Sequence, residues 1–375
     1  MATIKLIHSA DWQLGKPFGR MPPDVRSALA EARLDAIDRL AEAAVGCGAA
    51  HIVVAGDVFD NVEPGDRIVQ QALGRMARAT AQWWLMPGNH DHARADGLWS
   101  RIRAQAPLNV HVVDTPEPVA LADDAWLLPA PLEHRRTIAD PTAAMVDMAT
   151  PPEALRIGLA HGAIKEFGSS GESTNIIPPD RAGLAALDYL ALGDWHGFLK
   201  VGDRTAYSGT PETDRFKHED KGGCLAVTIR SGDVPVIERI ETGRYRWLLR
   251  QWPVTGPADL EAEMQRLEAG GRLDETLLSV RLDGITGLAD RVAIMDAIEG
   301  RFAHRLRYLD LDIDNLVVRP TAEDVALIDV QGALAGAAAL LRAGAEGSGP
   351  DAALSASALE RLYVEALRFD GGSAQ

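Results

Sequence analysis

Seven residues that follow short apolar runs of the chain have side chains that could bind divalent metal ions. Carboxylates, amide carbonyls and imidazoles are common ligands of such ions in proteins. A hydrolytic site with two metals needs one carboxylate that bridges both ions, further oxygen and nitrogen ligands, and room for a hydroxide. The candidate ligands are Asp11, Gln13, Asp57, Asn89, His161, Asp194 and His196.

Short, almost continuously apolar runs precede these residues and predict strands that are buried on both faces. Helical patterns separate the first runs, because apolar residues recur at helical spacing in residues 25–45 and again in 67–78. Alternating strands and helices predict a layered α/β fold with a site beyond the carboxyl ends of the strands. We therefore expect all seven candidates at one edge of one sheet. The five runs are residues 4–7, 51–54, 83–86, 155–159 and 189–192.

Each candidate taken alone has a simpler structural explanation. An aspartate after a strand is more often a turn or a helix cap, and a single histidine is more often a packed core residue. Five clusters that follow five strands in order are hard to explain by capping alone. The joint pattern therefore indicates a metal centre.

The chain has 375 residues, which is more than one typical domain. Residues 1–243 carry the five clusters, and residues 244–320 show a second, smaller pattern of strands and a helix. Residues 321–375 are predicted to form a helical pair, so the expected fold is a layered α/β sandwich, a small α/β domain and two helices. The predicted helices are residues 325–341 and a segment from about Ser357, with a glycine-rich link at 344–350.

The formal net charge of −16 argues against a free-standing DNA-binding protein, because affinity for a duplex depends mainly on cationic contacts. Bound metal ions or a basic partner could offset this charge. The two cysteines, Cys47 and Cys224, give neither a disulfide framework nor a zinc spacing. No apolar stretch has the length of a signal peptide or a bilayer span, which predicts a cytoplasmic protein that does not bind membranes.

Five ordered motifs resemble those of the calcineurin-like metallophosphoesterases, which implies the layered sandwich fold of that family. The opening Ser9-Ala10-Asp11-Trp12-Gln13-Leu14-Gly15 more narrowly resembles the nuclease subunit of bacterial SbcCD complexes. The resemblance in sequence covers about residues 1–240. Beyond these residues only the arrangement is similar, with a capping domain followed by a helical pair. The motifs are Asp11-Trp12-Gln13, Gly56-Asp57-Val58-Phe59-Asp60, Gly88-Asn89-His90-Asp91, His161-Gly162 and Gly193-Asp194-Trp195-His196.

The resemblance implies a role for each candidate ligand. Asp57 would bridge two divalent cations. His90 would not be a ligand but would donate a proton to the leaving oxygen while a hydroxide attacks phosphorus in line. The first cation site would be completed by Asp11, Gln13 and His196, and the second by Asn89, His161 and Asp194.

Two positions depart from the family, which usually has histidine at both Gln13 and Asp194. A glutamine carbonyl is a harder and weaker ligand than imidazole, and Asp194 adds a negative charge. These departures favour Mn²⁺, or Mg²⁺, over softer metals, and they leave reduced activity open.

Four neighbouring residues have weaker assignments. Asp60 and Asp91 could orient His90, although ordinary capping explains each equally well. Arg215 and Lys217 could contact a DNA backbone, although a solvated loop explains them equally well.

Three functions stay open from the sequence. The first is a DNA nuclease, cutting internally or as an exonuclease, that acts in DNA repair with an SMC-like coiled-coil ATPase bound through the C-terminal helices. The second is a metallophosphoesterase of small phosphodiesters, and the third is a scaffold subunit whose catalytic site has weakened. The additional domain and the similarity of the motifs to those of the SbcCD nuclease subunit favour the DNA nuclease. The resembling family is commonly dimeric, so a homodimer also stays open.

Overall fold

The computed structural model of the chain describes residues 2–164, 174–217, 220–319, 333–347 and 351–372. The chain divides into two compact units, an N-terminal unit of Met1–Arg246 and a C-terminal unit of Trp247–Gln375. No helix in the described part of the chain has the length and apolar character needed to cross a bilayer.

The N-terminal unit alternates strands and helices along most of its length. Its helices are α1 (Pro23–Cys47), α2 (Asp66–Met76), α3 (Leu98–Gln105) and α4 (Arg181–Leu184). Its strands are β1 (Thr3–Ser9), β2 (His51–Val54), β3 (Gln82–Leu85), β4 (Val110–Val112), β5 (Val119–Ala122), β6 (Ala125–Ala130), β7 (Leu155–His161), β8 (Ala163–Ile164), β9 (Ile176–Ile177), β10 (Tyr189–Gly193), β11 (Leu199–Lys200), β12 (Thr205–Tyr207), β13 (Gly223–Arg230) and β14 (Val236–Glu241).

Two sheets of the N-terminal unit share one apolar core. Among the described residues they have the strand orders β14-β13-β1-β2-β3-β4 and β11-β12-β10-β7-β6-β5. The strands from β1 to β4 are parallel, as are β12, β10, β7 and β6, and the remaining strands of both sheets pair antiparallel. Leu6, Val53, Trp84, Leu127 and Ile157 lie in the core between the sheets.

Apolar layers cover the outer faces of both sheets. Ile37 and Leu40 of α1 pack with Ile7 and Ile52 on the first sheet, and Met145 lies in the cluster on the second. Neighbouring strand residues therefore face helices and core in turn, which explains why the runs are apolar throughout. The predicted layered α/β sandwich is confirmed.

The five strands that carry the candidate ligands belong to two sheets. Strands β1, β2 and β3 lie in the first sheet, whereas β7 and β10 lie in the second. The expectation of a single sheet edge is therefore wrong. The prediction failed because an apolar run only shows that a strand is buried on both faces. Such a strand fits a sheet that packs against another sheet as well as a sheet that helices cover on both sides. The candidate residues instead meet at one end of the two-sheet sandwich.

The C-terminal unit has a small sheet in the order β15-β16-β17, and β18 also pairs with β16. Strand β16 is parallel to both β17 and β18. Trp252, Leu260, Leu278, Ile294 and Phe302 lie in its buried core. The elements are β15 (Arg246–Pro253), α5 (Pro257–Ala269), β16 (Thr276–Thr286), α6 (Leu288–Ala297), β17 (Tyr308–Asp312), β18 (Leu316–Val318), α7 (Ala333–Ala345) and α8 (Asp351–Gly372).

Helices α7 and α8 form a pair that packs on α6 of the same unit. The contact is a cluster of Leu288, Ala338, Leu359 and Tyr363. The second helix begins at Asp351 rather than near Ser357, since the capping-box spacing there falls inside a helix that is already formed.

The glycine-rich link and the first predicted helix are described only in part. Helix α7 continues to Ala345, past the predicted end at residue 341. Residues 320–332 and 348–350 lie outside the described residues.

Candidate metal centre

The backbone turns sharply at four of the candidate ligands. Asp11, Asp57 and Asp194 have φ angles of 56°, 54° and 101°, and Gln13 has 42°. Residues other than glycine avoid this left-handed region, although aspartate tolerates it better than most. Such strained positions gather at functional sites. Here they occur just after strands β1, β2 and β10.

Glycines that precede candidate ligands allow the strand ends to approach one another. A Cβ on Gly193 would lie 2.0 Å from the Ala55 carbonyl oxygen and 2.9 Å from His161 Nδ1. A Cβ on Gly88 would lie 2.3 Å from the Asp57 backbone nitrogen. All three distances are shorter than van der Waals contact, so glycine is the residue that fits at these positions without a shift of the backbone.

Three candidate ligands form the centre of the site. One ligand atom each from Asp11, Asp57 and His161 lie within 4.8 Å of one another. Their exposed fractions are 0%, 2% and 0%. Burying ionisable groups together is costly unless a counter-charge compensates them, so the cluster is arranged for a cation.

One side of this centre, the open half, consists of Asn89, His161 and Asp194. His161 Nδ1 donates to the Ala55 carbonyl at 2.8 Å, which directs Nε2 toward Asp57 Oδ1 at 3.5 Å and Asp194 Oδ1 at 3.7 Å. The Asn89 amide nitrogen donates to Asp194 Oδ1 at 3.1 Å. Asn89 Oδ1 and His161 Nε2 are buried and bond to no residue that the structure describes. A cation would satisfy both atoms, so the open half fits a divalent metal ion.

Protons compete with a cation for the open half. Burial alone would lower the pKa of His161, but the carboxylates of Asp57, Asp11 and Asp194 outweigh it and raise this pKa to about 9. Burial also raises the pKa of Asp11 to about 6. Metal binding at this site must therefore release protons near neutral pH.

The opposite side, the ion-paired half, consists of Gln13, His196 and the charged residues around them. Gln13 Oε1 accepts a hydrogen bond from Lys16 Nζ at 2.8 Å. Gln13 Nε2 lies 3.4 Å from Asp57 Oδ2 and 3.4 Å from His196 Nε2. The glutamine carbonyl thus faces an ammonium group, and its amide nitrogen faces the candidate ligands.

Asp214 anchors the ion-paired half. It forms ion pairs with Lys16 and with Arg215, and its Oδ1 lies 3.1 Å from His196 Nδ1. Burial would raise the pKa of Asp214, but His196, Arg33 and Lys16 hold it well below its usual range. Burial lowers the pKa of Lys16, and the Asp214 carboxylate opposes that shift.

His90 lies beside the centre in a fixed orientation. Its Nδ1 donates to the carbonyl oxygen of Asp60 at 2.9 Å, which leaves Nε2 for a substrate. Asp60 thus acts on His90 through its main chain. The buried carboxylate of Asp91 instead accepts the N–H groups of Phe59 at 2.9 Å and Gly88 at 2.7 Å, so it ties two site loops together. Burial raises the pKa of Asp91 to about 7.

Arg215 and Lys217, the two predicted DNA contacts, have different surroundings. Arg215 lies inside the site, with Nη2 3.0 Å from His196 Nδ1. The Lys217 ammonium lies 4.9 Å from the centre of the Trp195 ring. A role of either residue in DNA binding stays a prediction.

Lys16, Arg33 and Asp214 were missed by sequence reasoning. The buried Arg33 guanidinium donates to the Trp12 carbonyl at 2.8 Å and the Glu212 carbonyl at 2.9 Å, so it joins two loops of the site. An arginine among the apolar residues of a predicted helix was its signal. Lys16 and Asp214 are 198 residues apart, and no local pattern connects them.

The model of the calcineurin-like phosphoesterase family matches residues 4–181. These residues therefore form a calcineurin-like phosphoesterase domain, and the family implies metal-dependent hydrolysis of phosphoesters. The match includes Asp11, Asp57, Asn89 and His161 but ends before Asp194 and His196, the last two candidates.

Comparison with curated proteins finds no match. Of solved structures, 61 chains match. One of them has 11% sequence identity over 64% of this chain and 99% of its own, with a TM-score of 0.40. That likeness is too low to support a conclusion about function.

Proposed function

We propose that this chain is a metal-dependent phosphodiesterase that cleaves DNA, acting in DNA repair in the cytoplasm. The observation that carries the proposal is the buried cluster of Asp11, Asp57 and His161, beside an Asn89 Oδ1 that bonds to no described residue. The oxygen-rich donor set favours Mn²⁺ or Mg²⁺ as the cation.

The chain's own residues divide the work of hydrolysis. A bound divalent cation would lower the pKa of water and neutralise phosphate charge. Asp11, Asp57 and the open half would hold the cation. His90, fixed through Nδ1, would present Nε2 to the leaving oxygen and donate a proton to it. The apolar core beneath these residues keeps their positions fixed.

DNA is favoured over small phosphodiesters by the C-terminal unit, which a small-substrate enzyme would not need. The net charge of −16 means that the chain needs help to hold a polyanion. We therefore propose a partner that supplies basic surface, an SMC-like coiled-coil ATPase.

The helical pair supports such a partner. One side of the pair packs on α6, yet Leu334, Leu340 and Leu354 have exposed fractions of 47%, 77% and 70%. Large apolar side chains exposed on neighbouring helices are suited to docking another helix. We propose that the partner's coiled coil binds there.

A direct assay separates the candidate functions. The purified chain is incubated with Mn²⁺ and end-labelled or internally labelled DNA, single- and double-stranded, beside bis-p-nitrophenyl phosphate. DNA cleavage supports the nuclease, and release from labelled ends identifies an exonuclease. Cleavage of the small ester alone would favour a small-substrate phosphodiesterase. If neither substrate is cleaved with the ATPase partner present, the result would favour a scaffold subunit with a weakened catalytic site. The ion-paired half also suggests this function.

A further inference from the structure

We propose that this site binds one divalent cation, in the open half, rather than the two that the sequence predicts. Lys16 and Arg215 would supply fixed positive charge in place of the first cation, the one that Gln13 and His196 would bind. The inference rests on the proposed function, because it concerns the number of cations in the same site.

The halves differ first in their nearest charges. The open half presents Asp57 and Asp194 oxygens to His161 Nε2 at 3.5 and 3.7 Å. In the ion-paired half, Lys16 Nζ lies 2.8 Å from Gln13 Oε1, and Arg215 Nη2 lies 3.1 Å from His196 Nε2. Two cationic groups thus already contact the atoms that a first cation would need, and like charges at such distances repel.

Gln13 has its amide turned the wrong way for a ligand. Its oxygen accepts from Lys16, and its NH₂ group lies 3.4 Å from Asp57 Oδ2. Turning the amide over would place the oxygen against the Asp57 carboxylate and the NH₂ against the Lys16 ammonium. Both new contacts would be repulsive, so ligation by Gln13 requires Lys16 to leave its place as well.

His196 has one feature that suits a metal ligand, since Asp214 lies 3.1 Å from Nδ1 and can fix the ring. However, donors lie next to both ring nitrogens. Arg215 Nη2 is 3.0 Å from Nδ1 and 3.1 Å from Nε2, and Gln13 Nε2 is 3.4 Å from Nε2. Both ring nitrogens of His196 therefore have polar contacts within this chain, whereas His161 Nε2 forms no hydrogen bond to a described residue.

The ion pairs of Asp214 with Lys16 and Arg215 are anchored in the interior of the protein. The Asp214 side chain is 1% exposed and binds both Lys16 and Arg215. Leaving the buried Asp214 carboxylate without a partner would be costly, so a cation that displaced Lys16 or Arg215 would have to offset that cost. The Arg215 side chain is 42% exposed, which leaves its guanidinium able to reach a phosphate oxygen. Guanidinium groups bind phosphate with well-defined geometry.

Counting bound Mn²⁺ tests the proposal on the full-length protein. Equilibrium dialysis gives the stoichiometry, and electron paramagnetic resonance distinguishes an isolated Mn²⁺ from two coupled ions. We expect one equivalent with the spectrum of an isolated ion, lost in His161→Ala and kept in His196→Ala. Two equivalents with a coupled spectrum, or loss in His196→Ala alone, would overturn the inference and leave the proposed function intact. Absence of any bound Mn²⁺ would overturn the proposed function and this inference with it.

A double variant tests whether Gln13 and Lys16 are the residues that keep a cation out of the ion-paired half. Gln13→His with Lys16→Met supplies an imidazole and removes the ammonium, so we expect a second equivalent of Mn²⁺ to bind. Lys200→Met is the matched control, because Lys200 pairs only loosely with Asp203 at 3.8 Å, and it should keep one equivalent. A double variant that folds, as judged by its circular dichroism, and still binds one equivalent would contradict the assignment.

Discussion

The open half and the ion-paired half of the candidate metal centre share Asp57 and use similar ligand types, yet their surroundings differ. In the open half, Asn89 Oδ1 and His161 Nε2 bond to no described residue. In the ion-paired half, Gln13 contacts Lys16, and His196 contacts Asp214 and Arg215. We propose that ligand type alone does not decide whether a metal binds, and that the partners which the same chain offers to each ligand decide it.

Removing Asp57 should have the largest effect, because this carboxylate contacts both halves. We expect Asp57→Ala to abolish Mn²⁺ binding and to reduce phosphodiester cleavage by more than the ~10²–10⁴-fold that a lost general acid costs. Calorimetry and hydrolysis of bis-p-nitrophenyl phosphate measure the two effects. The exposed Asp203 provides the control, Asp203→Ala. Normal activity in Asp57→Ala would show that the halves do not depend on a shared ligand.

His90 should affect cleavage without affecting either half. We expect His90→Ala to lower kcat on DNA by about 10²–10⁴-fold while Mn²⁺ affinity is retained, because its side chain bonds to the Asp60 carbonyl. The loss should be smaller on bis-p-nitrophenyl phosphate, whose leaving group needs no proton. Equal losses on both substrates would argue that His90 acts by another route than proton donation.

The pH dependence of Mn²⁺ affinity should reflect the open half. His161 has a pKa raised to about 9, so below that pH its proton must leave before the nitrogen can bind metal. Affinity should therefore fall about tenfold for each pH unit below about 9, and more steeply below the Asp11 pKa of about 6. Calorimetry in buffers of different ionisation enthalpy should show proton release near pH 7. An affinity that does not change with pH would place the metal away from His161.

Gly193→Ala should have the smallest effect, on the packing behind the open half. The new Cβ would lie 2.0 Å from the Ala55 carbonyl oxygen, so the strand ends must separate. We expect a loss of about 1–3 kcal/mol in the free energy of unfolding, measured by chemical denaturation. Gly183→Ala is the control, since no atom of the described residues lies within 4 Å of the Cβ that it would introduce. Equal stability of the two variants would mean that the close approach is not needed.

Local patterns were sufficient to predict most elements of the N-terminal unit. The run of residues 51–54 is strand β2, and residues 25–45 lie within α1. Apolar spacing predicts these elements because burial of one strand or one helix face is a local property. The candidate ligands were likewise predicted from their positions at the ends of strands. The structure brings three of them, Asp11, Asp57 and His161, together.

Properties that depend on distant parts of the chain could not be predicted this way. The division of five similar strands between two sheets depends on which strands pair, and apolar content does not encode pairing. The contact of Lys16 with Asp214 joins positions 198 residues apart. Neither residue belongs to a ligand pattern, so the charge balance around Gln13 became visible only in the fold.

The left-handed turns at Asp11, Asp57 and Asp194 also restrict how this site can vary. Glycine, asparagine, aspartate and histidine tolerate such angles best, whereas a β-branched side chain would disturb the main chain itself. Three of these four residue types, asparagine, aspartate and histidine, are also metal ligands. A substitution that the backbone tolerates at these positions therefore tends to exchange one ligand for another. Asparagine is accordingly the better probe of carboxylate chemistry here, and valine would report on folding.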